Sequence, residues 1–208
     1  MIARWIQLHP EDKHVIVSSD SDFYQLISDN VQIYNGITDT TITKEGYYDA
    51  KGKSIIDKKT GQPKTPPNPR WLLFEKCMRG DTSDNIFSAF PGVRTKGSKN
   101  KVGLLEAFDD REKQGYNWNN LMLQRWTDHN GEEHRVLADY ERNKKLIDLT
   151  EQPEWIKSAM DETITDVVQT DKIPQVGIHF MKFCGKYNLD RVGRQVTDHA
   201  LYLNAGYS

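Results

Sequence analysis

The stretch His14-Val15-Ile16-Val17-Ser18-Ser19-Asp20-Ser21-Asp22 decides the fold class of this 208-residue chain. Its β-branched run lacks polar alternation, which predicts a strand buried on both faces of a parallel sheet. The strand runs directly into Asp20 and Asp22, and in open α/β sheets ligand sites gather beyond the carboxyl ends of strands. The sequence therefore predicts an α/β fold with its chemistry at this turn.

Further elements are predicted on both sides of this strand. An amphipathic helix near the N-terminus has no N-capping residue of its own, which is unusual for a helix start. The insertion at residues 51–69 holds two glycines, four prolines and five lysines, a composition typical of an exposed hairpin or loop. The predicted elements are helices at 1–8, 71–78, 101–108, 118–126, 133–147 and 175–187, a helical turn at 23–27, and a second strand at 31–34.

A second acidic cluster, Asp81-Thr82-Ser83-Asp84, follows the helix that Gly80 is expected to cap. Hard cations such as Mg²⁺ and Mn²⁺ prefer carboxylate and water oxygens, often with a substrate phosphate completing the coordination. Either cluster alone is also typical of an ordinary turn or helix cap. Together, Asp20, Asp22, Asp81 and Asp84 predict part of a divalent metal site.

A basic patch follows the second cluster, because residues 85–105 contain four cationic side chains and no acid. Backbone amides before a helix starting near Ser98 are expected to bind a phosphate with help from the helix dipole. A solvated loop with a few lysines is the alternative. The expected DNA-binding residues are Gly92, Arg94, Lys96, Gly97, Ser98, Lys99 and Lys101.

Overall composition excludes several classes of protein. The chain has 28 basic and 30 acidic residues and a net charge of -2, so a nucleic-acid surface must be local. Cys77 and Cys184 are expected to be buried, reduced thiols of a cytoplasmic protein, and the histidines, including His129 and His134, lack zinc-site spacing with cysteines. No P-loop string and no membrane-spanning run occur, and the tryptophans are expected to serve the core, although Trp118 and Trp126 could face a partner protein.

The motifs resemble those of the 5′–3′ exonuclease and flap endonuclease family. The segment 15–26, with its Asp-x-Asp and following Gln-Leu, resembles that family's strand and turn, and 76–86 resembles its Gly-Asp-x-x-Asp-Asn-Ile segment. Pro91-Gly92-Val93 lies where the family has a helix-three-turn-helix DNA-binding motif. The long basic loop and helical tail look most like the T-even phage ribonuclease H branch.

This resemblance implies a PIN-like parallel sheet core at residues 1–84, incomplete at its N-terminus, and a helical DNA-binding region at 85–208. Asp20, Asp22, Asp81 and Asp84 would hold the second ion of a two-metal site, with Mg²⁺ or Mn²⁺ as cofactor and products that carry a 5′ phosphate. A potassium ion at the loop of residues 92–101 is also implied. The expected partners are duplex or flapped DNA, RNA–DNA hybrid and replication proteins such as single-stranded DNA-binding protein. We expect a monomer without membrane association, in the host cytoplasm if phage-encoded.

The sequence departs from the family pattern in two places. The loop at residues 93–101 lacks the usual Gly-Ile-Gly-x-Lys string. Met1-Ile2-Ala3 matches the residues immediately after the family's Glu-x-Asp-Asp motif, so we expect a truncated or split reading frame whose first-metal ligands lie upstream.

Three functional hypotheses follow. The first is a Mg²⁺-dependent 5′–3′ exonuclease or flap nuclease that removes RNA primers and displaced strands. The second is a fragment that binds duplex DNA but cleaves it poorly. The third is a PIN-type ribonuclease, which the extended DNA-binding loop and helical tail disfavour.

Overall fold

The computed structural model describes residues 1–99, 101–166 and 173–205, which form a mixed α/β protein of two compact units, Met1–Met160 and Asp161–Ser208. Its helices are α1 (Ile2–Leu8), α2 (Pro69–Arg79), α3 (Leu104–Asp109), α4 (Tyr116–Met122), α5 (Val136–Ile147), α6 (Glu154–Asp166), α7 (Val176–Lys186), α8 (Asp190–Gly193) and α9 (Val196–Ala205). Its strands are β1 (His14–Val17), β2 (Val31–Asn35), β3 (Thr40–Thr43), β4 (Gly46–Asp49), β5 (Arg125–Thr127) and β6 (Glu133–Arg135), and a 3-10 helix spans Ser21–Leu26. Asn100 of the basic loop, and residues 167–172 and 206–208 of the expected helical region, lie outside the described residues.

The main sheet has the strand order β1-β2-β3-β4, and its topology corrects the prediction of a parallel sheet. Only β1 and β2 are parallel, with Ile16 opposite Ile33, whereas β2–β3 and β3–β4 are antiparallel. Strands β3 and β4 were not among the predicted elements. Their connections are short turns, and a parallel pair needs a crossover of a dozen or more residues, so antiparallel pairing is required.

Strand β1 is buried on one face only, which corrects a second prediction. Ile16 is buried, but the side chains of Val15 and Val17 are 54% and 72% exposed. Within the described residues β1 pairs with β2 alone, so it is an edge strand of this sheet.

A small apolar cluster supports the sheet, and a larger one joins the helices that follow it. The first contains Ile16, Ile27, Val31, Ile33 and Ile42. The second is built from α2, α3, α4 and α5, and its buried members include Phe74, Met78, Leu104, Leu121 and Val136. Full burial of each such side chain contributes about 1.5–3 kcal/mol. The predicted division after residue 84 falls inside the first compact unit, because α2 packs against α5.

A β-hairpin interrupts the predicted helical region. The helices expected at 118–126 and 133–147 end earlier and begin later than predicted, because residues 125–127 and 133–135 pair as β5 and β6. The Asp128 carboxylate accepts hydrogen bonds from the amides of Asn130 and Glu132, at 2.9 and 2.8 Å, and so closes the turn. Trp126 then donates from its indole to the Ala89 carbonyl at 2.9 Å, which accounts for its partial burial.

Other predictions about single elements can be checked directly. The 51–69 insertion contains no helix or strand before α2 begins, as expected. Cys77 and Cys184 are both free and buried, and burial raises the pKa of the Cys77 thiol to about 12. Trp118 is buried, but Trp155 is 75% exposed, so not every tryptophan serves the core. Within the described chain, no helix is both long and apolar enough to cross a membrane.

The second unit is helical, in agreement with the predicted C-terminal character. The helix expected at 175–187 is α7, and it packs against α9. Gly177 lies at this contact, since an added Cβ would come within 3.2 Å of Ala200 Cβ.

Candidate metal centre and nucleic-acid interface

Three of the four predicted carboxylates meet in space. Oxygen atoms of Asp22, Asp81 and Asp84 all lie within 4.8 Å of one another. Asp22 comes from the 3-10 helix just beyond β1, and the other two come from the turn after α2. The carboxyl end of β1 is therefore one side of the site, as the sequence predicted.

The turn that carries Asp81 and Asp84 is closed by its own backbone. The Asp81 amide donates to the Ile86 carbonyl and the Ile86 amide donates back to the Asp81 carbonyl, both at 2.8 Å. Gly80 enters the turn at φ +77°, and a Cβ there would lie 2.3 Å from the Ile86 carbonyl oxygen. Only glycine fits this position, and it also ends α2 where the sequence predicted a cap.

Helix α5 fixes the turn from behind through Asn143, which is fully buried. Its side-chain amide donates to the carbonyls of Cys77 and Phe87, at 2.9 and 2.7 Å, on either side of the Asp81–Asp84 turn. The sequence analysis missed this residue, because an asparagine within a helical pattern gives no sign of which carbonyls it will reach.

The Asp22 side of the site is held by Gln25. Its amide donates to the Ile147 carbonyl at 3.2 Å and its oxygen accepts from the Leu149 amide at 3.0 Å. The Gln-Leu pair quoted from the sequence thus ties the 3-10 helix to the end of α5.

Lys76 is the cation of the site. Its ammonium group bridges Asp22 and Asp81, with an Nζ to Oδ2 distance of 2.6 Å to Asp81. Burial acts to lower the pKa of Lys76, but the two carboxylates outweigh it, so the pKa is raised. Hydrogen bonds from Lys76 and then Ser83 lower the pKa of Asp81 to about 2. Sequence analysis quoted Lys76 within a motif without giving it a role.

Asp20 and Asp84 differ from the bridged pair. Asp20 is exposed, lies outside the three-carboxylate group, and accepts a hydrogen bond from the Asp22 amide at 2.9 Å as the cap of the 3-10 helix. Asp84 has no hydrogen-bond or ion-pair partner among the described residues, so its carboxylate is available to a ligand.

The donor set fits a hard divalent cation. Such ions take carboxylate and water oxygens. Three carboxylates whose oxygens lie within 4.8 Å of one another could bind one ion and leave coordination positions for water and phosphate. The Lys76 ammonium already places one positive charge between two of these carboxylates. The residues Asp22, Asp81 and Asp84 could therefore hold such an ion, with Asp20 supporting Asp22 through its backbone.

The basic loop follows the Asp81–Asp84 turn along the chain. Its cationic side chains have no ion-pair partner among the described residues. Arg94, Lys96, Lys99 and Lys101 are all exposed. The helix expected near Ser98 begins instead at Leu104, with Ser98 and Lys101 joined by a pair of backbone hydrogen bonds.

Glu106 explains why the loop amides are not open to a phosphate. Its carboxylate accepts from the amides of Gly97 and Gly103, at about 3.0 and 2.9 Å. The pKa of Glu106 is lowered by its own backbone amide first and then by these two amides. The amides of Leu104 and Leu105 donate to the carbonyls of Arg94 and Thr95, at 3.0 and 2.9 Å. The amides of Gly97, Gly103, Leu104 and Leu105 already donate hydrogen bonds within the fold, so they are not free for the predicted phosphate contact.

A cavity of about 680 Å³ adjoins this loop. Its walls include every predicted DNA-binding residue except Lys96 and Lys99, together with Asn120 of α4 and Gln124, which follows that helix. The sequence analysis missed these two amides, which offer hydrogen bonds beside a cationic loop.

Helix α2 connects the loop to the acid cluster. Arg79 donates to the Val93 carbonyl at 3.3 Å and to the Thr95 hydroxyl at 2.6 Å, while Glu75 holds its guanidinium at 3.0 Å. Lys76 lies less than one turn away on the same helix, so one rigid element positions both the acidic and the basic parts of the site.

A second group that could hold an ion lies in the β5–β6 hairpin, at Asp128, Glu132 and His134. The sequence analysis gave the histidines no metal role. Here Asp128 already closes the hairpin turn, and His134 Nδ1 lies 3.0 Å from the buried Asp139 carboxylate with its ring stacked on Trp126. These contacts give the group a structural role without any ligand.

Comparisons with known proteins agree with the family resemblance at a coarse level. No family model matches the chain. DNA polymerase I of Rhizobium leguminosarum is 34% identical over 95 residues, covering 46% of this chain and 8% of that protein. DNA polymerase I of Chloroflexus aurantiacus is 33% identical over 99 residues, covering 45% of this chain and 9% of that protein. The chain thus spans less than a tenth of the length of these curated relatives.

Among solved structures, the crystal structure of the T5 D15 protein co-crystallized with metal ions aligns with a TM-score of 0.46 and 14% sequence identity. The alignment covers 81% of this chain and 60% of that one. The DNA polymerase I similarities support the relationship to 5′–3′ exonucleases expected from the motifs. The narrower assignment to the T-even branch stays a prediction.

Proposed function

We propose that this chain is a metal-dependent 5′ nuclease that hydrolyses phosphodiester bonds at the 5′ ends of DNA strands or RNA primers. The observation that carries the proposal is the meeting of Asp22, Asp81 and Asp84 beside a cationic loop held by the same helix. Similarity to DNA polymerase I over nearly half of the chain supports a nucleic-acid substrate.

The three carboxylates would hold Mg²⁺ or Mn²⁺, which supplies an activated water and charge stabilisation on the phosphate under attack. Lys76 would leave its bridging position or turn its ammonium toward the substrate phosphate. The Asp84 carboxylate, which has no protein partner among the described residues, supplies the open side of the site. Asp20 acts through Asp22 as a positioning residue rather than as a direct ligand.

Arg94, Lys96, Lys99 and Lys101 would contact the phosphates of the duplex next to the cleaved end. Such contacts are independent of sequence and weaken steeply with salt. Because Glu106 occupies the loop amides, we assign this binding to the side chains and to the cavity beside Gly92 and Gly97. A potassium ion at this loop belongs to the same proposal.

The finer parts of the proposal follow the family resemblance. They are exonuclease or flap activity of the T-even ribonuclease H type, removal of RNA primers from RNA–DNA hybrids, single-stranded DNA-binding protein as a partner, and action as a monomer in the host cytoplasm.

A specific observation favours the alternative of a DNA-binding fragment with little cleavage. A two-metal mechanism needs ligands for both ions. Among the described residues at this site, three carboxylates converge and Asp20 is turned to a capping role. The two proposals differ only in whether the metal ligands present in this chain suffice for cleavage.

The test is cleavage of a 5′-labelled flapped or nicked duplex with Mg²⁺ and with chelator. Wild-type protein is compared with Asp81→Ala/Asp84→Ala and with Asp128→Ala/Glu132→Ala, which removes two carboxylates from the hairpin group. The nuclease proposal expects Mg²⁺-dependent 5′ products, lost in the first variant and kept in the second. Salt-sensitive duplex binding without cleavage would favour the alternative, and neither binding nor cleavage would overturn both.

A further inference from the structure

A second cavity, of about 460 Å³, opens directly beside the acid cluster. The 3-10 helix and α2 form two of its walls, and β4 and the end of the 51–69 insertion form the others. It shares Asp22 and Lys76 with the acid cluster, and its remaining lining includes Tyr24, Tyr47, Pro67 and Leu72. The metal-binding carboxylates account for only one end of this space.

Two half-buried tyrosines, Tyr24 and Tyr47, are the aromatic side chains that line the cavity. Burial raises the pKa of Tyr24 and of Tyr47, so both remain neutral phenols across the physiological range. Among the described residues, neither hydroxyl has a hydrogen-bond partner. Tyr47 is held in place by Lys64, whose ammonium lies 3.8 Å from the centre of its ring.

The 51–69 insertion reaches this cavity. The Lys64 amide donates to the Ile55 carbonyl at 2.8 Å, which folds the insertion back toward β4, and Pro67 lines the wall. The lysine-rich insertion therefore contributes Pro67 to the cavity lining, and its Lys64 contacts the ring of Tyr47.

The lining indicates what the cavity can bind. Its volume falls within the roughly 300–1,000 Å³ typical of small-ligand sites. The lining combines aromatic and aliphatic side chains with polar and charged ones, and two of the charged residues, Asp22 and Lys76, belong to the acid cluster and its cation. A planar, apolar-faced group attached to a phosphate matches this mixed lining.

We propose that this cavity holds an unstacked nucleobase of the strand whose phosphate lies at the acid cluster. The inference rests on the proposed nuclease function and adds a base-binding subsite to it. Stacking on an aromatic side chain suits any base, because every base has a π face, so the subsite would not impose a sequence. It would favour strands whose bases are already unpaired, such as a flap or a frayed end.

The experiment removes the nucleobase from the DNA and the tyrosine ring from the protein, first separately and then together. Flapped duplexes carry one abasic site, at each of the three nucleotides on either side of the cleaved bond in turn. Binding is followed by fluorescence anisotropy in chelator and cleavage by single-turnover assays in Mg²⁺. The proteins are wild type, Tyr47→Leu, Tyr24→Leu and Tyr47→Phe, with Tyr48→Leu as a matched control from the same strand outside the cavity lining.

At one position, the abasic site is expected to weaken wild-type binding by about tenfold, the usual effect of losing one base–aromatic stack. Tyr47→Leu or Tyr24→Leu should bind the intact substrate about tenfold more weakly and show little further loss with the abasic one. Tyr47→Phe and Tyr48→Leu should behave as wild type does.

Equal abasic effects in wild type and both leucine variants would overturn the subsite while leaving the nuclease proposal intact. Absence of DNA binding by every protein would instead overturn the proposed function itself. Circular dichroism melting of each variant shows whether a loss reflects unfolding, and Tyr47→Phe keeps the test valid because it preserves the ring.

Discussion

Replacement of Gly80 by alanine tests whether the acid-bearing turn is built as described. Gly80 has φ +77° and ψ −174°, a region of backbone space that is almost exclusive to glycine. An added Cβ would lie 2.3 Å from the Ile86 carbonyl oxygen and 2.7 Å from Ser88 N. Both atoms belong to backbone, so neither can move aside without opening the turn that carries Asp81.

Two costs contribute to the expected destabilisation. A residue with a Cβ in this conformation costs about 1–3 kcal/mol. Forcing the backbone apart adds about 1–3 kcal/mol, the usual penalty of overpacking. We therefore expect Gly80→Ala to lower the free energy of unfolding by about 2–6 kcal/mol, and to weaken Mn²⁺ binding because Asp81 and Asp84 are displaced.

Urea denaturation measures the first effect, with Gly131→Ala as the matched control. Gly131 also has a positive φ, +86°, but nothing lies within 4 Å of its added Cβ. The control should lose about 1–2 kcal/mol, the cost of the backbone conformation alone. If the two variants lose the same free energy of unfolding, to within about 0.5 kcal/mol, the steric account of the turn is refuted.

Three further predictions follow from single contacts. Asn143→Ala should cost about 2–3 kcal/mol in urea denaturation because it removes a fully buried side chain and leaves the buried Cys77 carbonyl and the partly buried Phe87 carbonyl without their donor, whereas Asn119→Ala, at an exposed site, should cost under about 1 kcal/mol. Lys76→Met should raise the pKa of Asp81 from about 2 toward its ordinary 3.8, measured by ¹³C NMR titration. Since the pKa of Asp81 is depressed in the folded wild type, the stability that Asp81 contributes is present above about pH 4 and is lost as pH falls toward about 2. The Lys76→Met variant should not show this loss of stability. Arg79→Ala should weaken duplex binding by several-fold at constant Mn²⁺ affinity, and an equal loss of both would contradict its role in holding the basic loop.

The parts of this fold that sequence predicted are those with local signals. The β-branched run at 14–17, the Gly80 cap and the Asp81–Asp84 turn each have chemistry confined to a few neighbouring residues, and each was found where expected. Strands β3 and β4 were missed although their Thr, Ile and Tyr residues favour strands, because the intervening Lys44-Glu45 turn lacks the usual turn residues. Their pairing depends on short turns rather than on composition.

The parts that sequence could not predict depend on long-range contacts. Asn143 reaches carbonyls of Cys77 and Phe87, and no pattern along α5 encodes those partners. For the same reason, Glu106 could not be identified from sequence as the residue that holds the basic loop. The phosphate contact was therefore assigned to backbone amides that already donate hydrogen bonds to Glu106. Asp20 was grouped with the metal ligands from its place at a strand end and from the family resemblance, and its capping of the 3-10 helix depends on a local contact that neither showed.

The most direct test of the central claim is Mn²⁺ binding, measured by electron paramagnetic resonance in the absence of nucleic acid. The claim is that Asp22, Asp81 and Asp84 form a divalent cation site. Wild type and Asp128→Asn/Glu132→Gln should show the same high-affinity site, and Asp81→Asn/Asp84→Asn should lose it. Unchanged binding in the last variant, or its loss in the hairpin variant, would contradict the claim.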